Sequence, residues 1–255
     1  MELIDSHTHL YLEEFEKDIH QVMNRAFDAG VKKMVIPNID SSSVNAMLNL
    51  CKEFKNNCYP AIGLHPGSVK ENFNEELEIM RSWLSEEKFV AIGEIGLDLY
   101  WDKTFFKEQV EAFKYQLSLA NEFDRPVIIH SRNALNDIIQ ILNEKQFSKV
   151  KAVFHCFPGS IEQAHYLAGK GYLIGIGGVV TYKNSGMAKI AKELPLQNVI
   201  LETDSPYLPP VPFRGQRNES AYIKVITEFI ASLRQTTIEE VAEITSTAAK
   251  EFFKI

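Results

Sequence analysis

Short runs of β-forming residues alternate with segments of helical periodicity along the whole chain. The β-type runs are residues 3–4, 31–36, 59–62, 89–92, 127–129, 152–154, 172–176 and 199–201. Helical segments follow them at 15–27, 43–54, 75–85, 104–122, 134–143, 160–168, 185–193, 219–233 and 238–253. Parallel strands need helical crossovers, and eight such units are the number that closes a barrel. We therefore predict an α/β fold, a (β/α)8 TIM barrel with extra C-terminal helices.

The alternative architecture for such an alternation is a doubly wound open sheet. That fold usually carries a Gly-x-Gly-x-x-Gly turn after its first strand, whereas this chain has Asp5-Ser6-His7-Thr8-His9 there. No linker rich in Pro, Gly or Ser divides the 255 residues, and their length suits one barrel. We therefore predict a single domain over residues 1–255.

Charge, cysteine usage and apolar runs restrict the class of protein. The 27 basic and 34 acidic residues give a formal charge of −7, which disfavours coating of nucleic acid but allows a local phosphate pocket. Three cysteines without C-x-x-C spacing fit reduced thiols in the cytosol. The acidic first residues do not resemble a signal peptide, and the longest apolar run, 172–180, is too short to cross a bilayer. We predict a cytoplasmic protein without membrane insertion.

Polar residues with metal-binding side chains stand at the ends of the predicted strands. Because catalytic groups of such barrels lie at the C-terminal strand ends, these side chains should converge at one mouth. Alternating strand geometry also points both rings of the first pair, spaced i and i+2, to the same side. Imidazole and carboxylate ligands together suit Zn, Mn, Ni or Fe more readily than an all-oxygen cage. The residues are His7 and His9 (first strand), His65 (third), Glu94 (fourth), His130 (fifth), His155 (sixth), and Glu202 and Asp204 (eighth).

Other polar residues near the predicted mouth have less certain roles. His65 fits a metal ligand, a phosphate donor or a structural histidine, and we predict substrate contact. The Pro-rich loop after the last strand carries Arg214 and Arg217, and a guanidinium fork suits phosphate oxygens. We predict phosphate contact for Arg214 and leave Arg217 open between that role and a salt-bridged loop contact. Asp98 is predicted to orient a ligand or a water, and Cys156 to be a small buried residue rather than a nucleophile.

With these residues assembled, the chain resembles the TatD family of metal-dependent hydrolases, within the amidohydrolase-like TIM barrels. The resemblance implies that His7, His9, Glu94 and Asp204 hold one divalent ion. It also implies that Glu94, His130 and His155 hold a second, with Glu94 bridging. Members of the family are described as divalent-metal-dependent DNases, often 3′-to-5′ exonucleases on single-stranded or damaged DNA. The matching segments are Asp5–His9, Gly63–Pro66, Gly93–Asp98, His130–Arg132, His155–Phe157, Glu202–Leu208 and Arg214–Glu219.

Two positions depart from the family pattern. The family often has a histidine where this chain has Gly67, and usually a proline where it has Ser220. Neither residue is a predicted metal ligand, so we expect the differences to affect the substrate rim.

Together these observations predict metal-assisted hydrolysis of phosphodiester bonds, with DNA strand ends, in particular single-stranded ones, as substrate. Asp204 and Glu94 are the predicted catalytic residues, Asp204 accepting the proton of the attacking water. His65 and Arg214 are predicted to hold the phosphate. The predicted cofactors are two divalent ions (Mg, Mn or Zn), and no obligate protein partner is inferred. The alternatives are hydrolysis of a small amide, lactone or phosphotriester by the same ions, and a non-catalytic role with a structural metal.

Overall fold

The computed structural model of the protein describes residues 1–255 and alternates strands with helices. The strands are β1 (Leu3–Asp5), β2 (Val31–Pro37), β3 (Cys58–Ile62), β4 (Ala91–Asp98), β5 (Val127–Arg132), β6 (Ala152–Phe154), β7 (Leu173–Ile176) and β8 (Val199–Leu201). The α-helices are α1 (Ile19–Asp28), α2 (Val44–Glu53), α3 (Phe73–Glu86), α4 (Phe106–Glu122), α5 (Leu135–Leu142), α6 (Ile161–Gly169), α7 (Met187–Glu193), α8 (Ile223–Arg234) and α9 (Ile238–Phe253). The predicted α/β class is confirmed.

All eight strands pair in parallel and in chain order, from β1 to β8. Backbone hydrogen bonds beyond the last strand connect it back to the first. The N–H of Ser6 donates to the carbonyl of Leu201 (2.9 Å), and the N–H of His9 donates to that of Ser205 (2.8 Å). These bonds bring the two edges of the sheet together, so the predicted (β/α)8 barrel is confirmed.

The interior of the barrel is filled by one buried apolar side chain from each strand. Because strand side chains alternate, the neighbouring positions face outward, where they pack against the surrounding helices. Ala249 and Phe253 of α9 join the interior cluster, so this extra helix covers the end at which the strands begin. The opposite end, where the strands finish, is left for the polar residues. The interior residues are Ile4, Val35, Ala61, Ala91, Ile128, Val153, Leu173 and Ile200.

The fourth strand differs from its prediction. Residues 89–92 were expected to form it, but it runs over Ala91–Asp98 and all of it is buried. Its pairing with β5 shifts register between Ile92 and Ile95, and Gly96 has φ +144°, a backbone conformation that favours glycine. The glycines bend the strand as expected, yet they do not end it, because pairing with β5 resumes beyond the shift.

Two of the helices begin at a side-chain cap. The side chain of Ser160 accepts the N–H of Gln163 at the start of α6, and Thr237 accepts that of Glu240 at the start of α9. None of the helices combines the length and the apolar character that crossing a membrane requires. All three cysteines are unpaired.

Candidate active site

A cleft of about 480 Å³ opens at the end of the barrel where the strands finish. This volume lies within the usual range of ligand pockets, ~300–1,000 Å³. The residues expected to bind metal come from β1, β4, β5, β6 and β8 or directly follow these strands, as the barrel geometry requires. The cleft is lined by His9, Ile39, His65, Glu94, Trp101, His130, Arg132, His155, Asp204, Tyr207 and Leu208.

Four potential ligand atoms come together beside β1. The Nε2 atoms of His7 and His9 are 3.1 Å apart, and they lie 3.3 and 3.8 Å from Oε2 of Glu94. Oδ1 of Asp204 lies 3.7 Å from the first of these nitrogens and 3.6 Å from the second. Four ligands held ~2.1 Å from one ion in a tetrahedron are separated from each other by ~3.4 Å. The five observed separations are close to that value, and His7, His9 and Glu94 form a group whose ligand atoms all lie within 4.8 Å of one another, so these residues could hold a divalent ion.

The histidines of this group have the protonation that metal binding needs. Nδ1 of His9 lies 3.2 Å from the carbonyl oxygen of Pro37, to which it can donate, and this leaves the lone pair on Nε2. Nδ1 of His7 is buried without a partner. Burial lowers the pKa of His9 to about 4 and that of His7 well below its ordinary value. Both rings are therefore neutral at pH 7 and can act as ligands.

Glu94 occupies the centre of the histidine cluster. Its Oε1 lies 2.7 Å from Nδ1 of His130 and 3.6 Å from Nε2 of both His65 and His155. Burial alone would raise the pKa of Glu94, but the facing histidines hold it well below its ordinary range. One oxygen of Glu94 thus faces the first group and the other faces a second set of histidines.

His130 lies between two carboxylates. Its Nδ1 contacts Glu94, and its Nε2 is 3.0 Å from Oδ2 of Asp98, the acid expected to orient a ligand. Burial opposes protonation of His130, but these two hydrogen bonds raise its pKa to about 9. To act as a metal ligand, His130 would have to give up one of the two protons in these hydrogen bonds.

Glu202 supports His155 from below the site. Its Oε1 accepts the N–H of Cys156 and lies 3.3 Å from Nδ1 of His155, at ion-pair distance though without hydrogen-bond geometry. Burial would lower the pKa of His155, but the charges of Glu202 and Glu94 raise it to about 10. Gly175 leaves room for this carboxylate, because a Cβ there would lie 2.5 Å from Oε2 of Glu202. A carboxylate behind a ligand histidine fixes its orientation and raises its basicity.

We expect Gly175→Ala to lower metal affinity by about ten- to a hundred-fold, because the added methyl displaces the carboxylate that orients His155. Gly169→Ala is the matched control, since a Cβ at that position meets no atom within 4 Å. Metal titration of both variants, with thermal unfolding to verify the fold, tests this expectation. Equal affinity of the Gly175 and Gly169 variants would contradict the role assigned to Glu202.

Asp204 has a left-handed backbone (φ 57°) directly after β8. Its N–H donates to the carbonyl of His7 (2.9 Å), which holds the strand exit in place. Burial raises the pKa of its carboxyl to about 7. Asp204 therefore lies at the cleft with a pKa suited to proton transfer near neutral pH.

Asp5 was not singled out in the sequence, and it organises the seam between β1 and β8. Its buried carboxylate accepts the N–H (2.9 Å) and the hydroxyl (2.6 Å) of Thr203, together with the hydroxyl of Ser220 (2.6 Å). Burial raises its pKa to about 7 despite these bonds. Ser220 is fully buried, so the expectation that this departure affects the substrate rim is wrong.

His65 faces the cleft with a defined tautomer. Its Nδ1 accepts the backbone N–H of Gly67 at 3.0 Å, so the neutral ring carries its proton on Nε2. Burial lowers the pKa of His65 to about 4, which keeps the ring neutral. His65 lines the cleft, and it forms with Glu94 and His130 one of the groups that could hold a metal ion, so its contact with substrate stays a prediction.

The arginines are distributed differently from their prediction. Arg214 is exposed, with its guanidinium 4.6 Å from the centre of the Tyr182 ring, and it is not among the residues that line the cleft. Arg217 pairs with both oxygens of Asp18 (2.7 and 2.8 Å), which is the salt-bridged alternative. The arginine that lines the cleft is Arg132. The i, i+2 spacing from His130 on the same strand is the signal that could have identified it.

Fold and site together define a class: a metal-dependent hydrolase built on a (β/α)8 barrel. The family model of TatD related DNases matches residues 4–254, so the chain belongs to the TatD family. YabD of Bacillus subtilis, named an uncharacterized metal-dependent hydrolase, is 39% identical over 254 residues, covering 99% of each chain. YcfH of Escherichia coli K12, named likewise, is 34% identical over 100% of this chain and 97% of its own. The crystal structure of the E. coli TatD homologue YjjV superposes with TM-score 0.93 at 33% identity, covering 99% of this chain and 98% of that one.

Proposed function

We propose that this hydrolase cleaves phosphodiester bonds at DNA ends, as a 3′-to-5′ exonuclease on single strands in the cytoplasm, and that it needs no protein partner. The proposal rests on the hydrogen-bond donors that lie in the cleft beside the candidate metal ligands. His65 presents a neutral N–H and Arg132 a guanidinium in the same cleft, and both suit the oxygens of a phosphate. A site for a neutral amide or lactone has no need of a fixed cation at this position.

The residues would hold two divalent ions. His7, His9, Glu94 and Asp204 would hold one, and Glu94 would share the second with His130 and His155. When bound, the ions supply Lewis-acid activation of phosphate and water.

Asp204 accepts the proton of the attacking water. Its side chain is 15% exposed towards the cleft, so a carboxyl oxygen that is not engaged by an ion can reach the attacking water. Glu94 stays ionised throughout, because the histidines around it hold its pKa low. The two catalytic carboxylates therefore differ in protonation because of their surroundings.

The negative net charge agrees with recognition of an end rather than of a long duplex. At −7 the protein repels a polyanion at long range, so affinity must come from a few phosphates inside the cleft. Each phosphate contact contributes to the slope of affinity against salt, so we expect a shallow salt dependence. Arg214, outside the cleft lining, would contact a phosphate further along the strand.

We expect Arg132→Ala to lower kcat/KM on a single-stranded oligonucleotide by about ten- to a hundred-fold, the effect of losing a charge-assisted hydrogen bond. Metal content should not change, because Arg132 contacts none of the proposed ligands. Arg125→Ala is the control, since Arg125 lines a different cleft of the barrel. A variant at position 132 that retains the parental kcat/KM would exclude this phosphate contact.

The function is tested by comparing an end-labelled single-stranded oligonucleotide with a panel of amides, lactones and phosphotriesters, all with the metal-loaded protein. We expect stepwise shortening of the oligonucleotide from its 3′ end and no comparable turnover of the panel. Turnover of the panel without cleavage of DNA would replace this proposal by the small-molecule alternative.

A further inference from the structure

Exposed large hydrophobic side chains are concentrated around the mouth of the cleft. Eight such side chains are exposed in the protein, and five lie on the loops after β4 and β8. Trp101 is the most exposed of them, at 74%. Single exposed apolar residues need no explanation, but a group of them beside a cleft indicates a contact surface. The five are Tyr100, Trp101, Tyr207, Leu208 and Val211.

One carboxylate connects the loop after β4 to the candidate metal ligands. Oδ1 of Asp98 accepts the N–H groups of Tyr100 (2.9 Å) and Trp101 (3.3 Å), and Oδ2 faces His130. The two aromatic rings meet edge to face with their centres 4.8 Å apart. Asp98 therefore fixes the backbone that carries both rings relative to the candidate ligands.

A cation lies next to this aromatic pair. The guanidinium of Arg132 is 4.2 Å from the ring centre of Tyr100 and 5.2 Å from that of Trp101. Trp101, Arg132 and Tyr207 all line the cleft that contains Glu94. These three features match the parts of a nucleotide. The ring face suits its flat base, the cation suits its phosphate, and the candidate metal ligands suit its scissile bond.

We propose that Trp101 stacks on the terminal base of a single-stranded nucleic acid end, and that this contact places the last phosphodiester bond over the metal cluster. The inference rests on the proposed function and adds to it a residue that determines specificity. A terminal base that is still paired must first be separated from the partner strand before it can enter the cleft with its phosphodiester bond, which costs free energy. Trp101 therefore makes the site selective for unpaired ends over blunt duplex ends.

The test is the effect of Trp101→Ala on two single-stranded oligonucleotides that differ only in their 3′ residue, a normal nucleotide or an abasic one. On the normal strand we expect kcat/KM to fall by about five- to 150-fold, which corresponds to the ~1–3 kcal/mol of one base–aromatic stack. On the abasic strand, which has no base to stack, the variant should equal the parent. Trp101→Phe should retain most of the activity. Tyr166→Ala, which removes an exposed ring from α6, is the matched control.

Fluorescence provides a readout that does not depend on turnover. Trp83 and Trp101 are the two tryptophans, so Trp83→Phe leaves Trp101 as the only indole. A phosphorothioate-linked single strand should quench its emission, whereas the abasic-ended strand should quench it much less. Equal quenching by both strands would overturn the proposal. So would equal losses of the Ala variant on both oligonucleotides, or concentration-dependent dimers of the parent that disappear in Trp101→Ala.

Failure of this inference and failure of the proposed function give different results. If the parent cleaves both oligonucleotides and Trp101→Ala cleaves them at the parental rates, the phosphodiesterase function stands and the stacking role is excluded. If the metal-loaded parent cleaves neither and the emission of Trp101 in Trp83→Phe is not quenched, the proposed function fails together with the inference.

Discussion

Asp204→Asn is expected to abolish hydrolysis while the barrel stays folded. Its Oδ1 is one of the four clustered ligand atoms, its carboxyl group is the proposed proton acceptor, and an amide performs neither role well. We expect kcat/KM to fall by at least about a thousand-fold, ~4 kcal/mol of transition-state stabilisation. The backbone should tolerate the change, because asparagine adopts the left-handed conformation of this position more readily than most residues.

The control for this variant is Asp124→Asn. Asp124 also has a left-handed backbone (φ 48°), but it is exposed and pairs with Lys254, away from the cleft. Its replacement should change neither activity nor metal content. Kinetics, metal analysis and thermal unfolding should be measured on both variants. Substantial activity of a folded Asp204→Asn variant would rule out Asp204 as ligand and as proton acceptor.

Glu94→Gln is expected to have an effect of similar size, with a larger loss of metal. One of its oxygens faces His7 and the other faces His130 and His155, so the proposed ions share it. The neutral amide removes the only charge common to both groups. We expect bound metal to fall well below the parental content and kcat/KM to fall by at least about a thousand-fold.

Metal analysis decides between a shared ligand and a purely catalytic acid at position 94. Loss of activity with full metal content would show that Glu94 acts on substrate and does not bridge the ions. Glu122→Gln is the control, because Glu122 is an exposed helix residue paired with Arg81. It should match the parent in both measurements.

The positions of the barrel strands could be predicted because their apolar runs are short and regularly separated by helices. The fourth strand was predicted to end at Ile92, directly before Gly93, but it continues to Asp98. The change of register between Ile92 and Ile95 falls at this glycine and does not end the pairing with β5. Local pattern thus located the strand but did not determine its length, which depends on pairing with β5.

The candidate ligands could be predicted because strand ends converge in any parallel barrel, whatever the loops do. The substrate contacts could not, because loop paths depend on tertiary contacts. The loop after β8 carries Arg214 onto Tyr182, whereas Asp98 holds the backbone of Trp101, which lines the cleft. Ser220 looked like a rim residue until the structure showed it bonded to Asp5 inside the protein.

The most direct test of metal-dependent phosphodiester hydrolysis in this cleft uses protein purified without chelator. Its metal content is measured, and the same preparation is assayed on a 5′-labelled single-stranded oligonucleotide before chelation, after chelation, and after Mg²⁺, Mn²⁺ or Zn²⁺ is added back. We expect a ladder shortened from the 3′ end before chelation, no cleavage after metal removal, and recovery with at least one of the ions. Undiminished cleavage by the metal-free protein would contradict the account, as would an intact oligonucleotide in the presence of every ion.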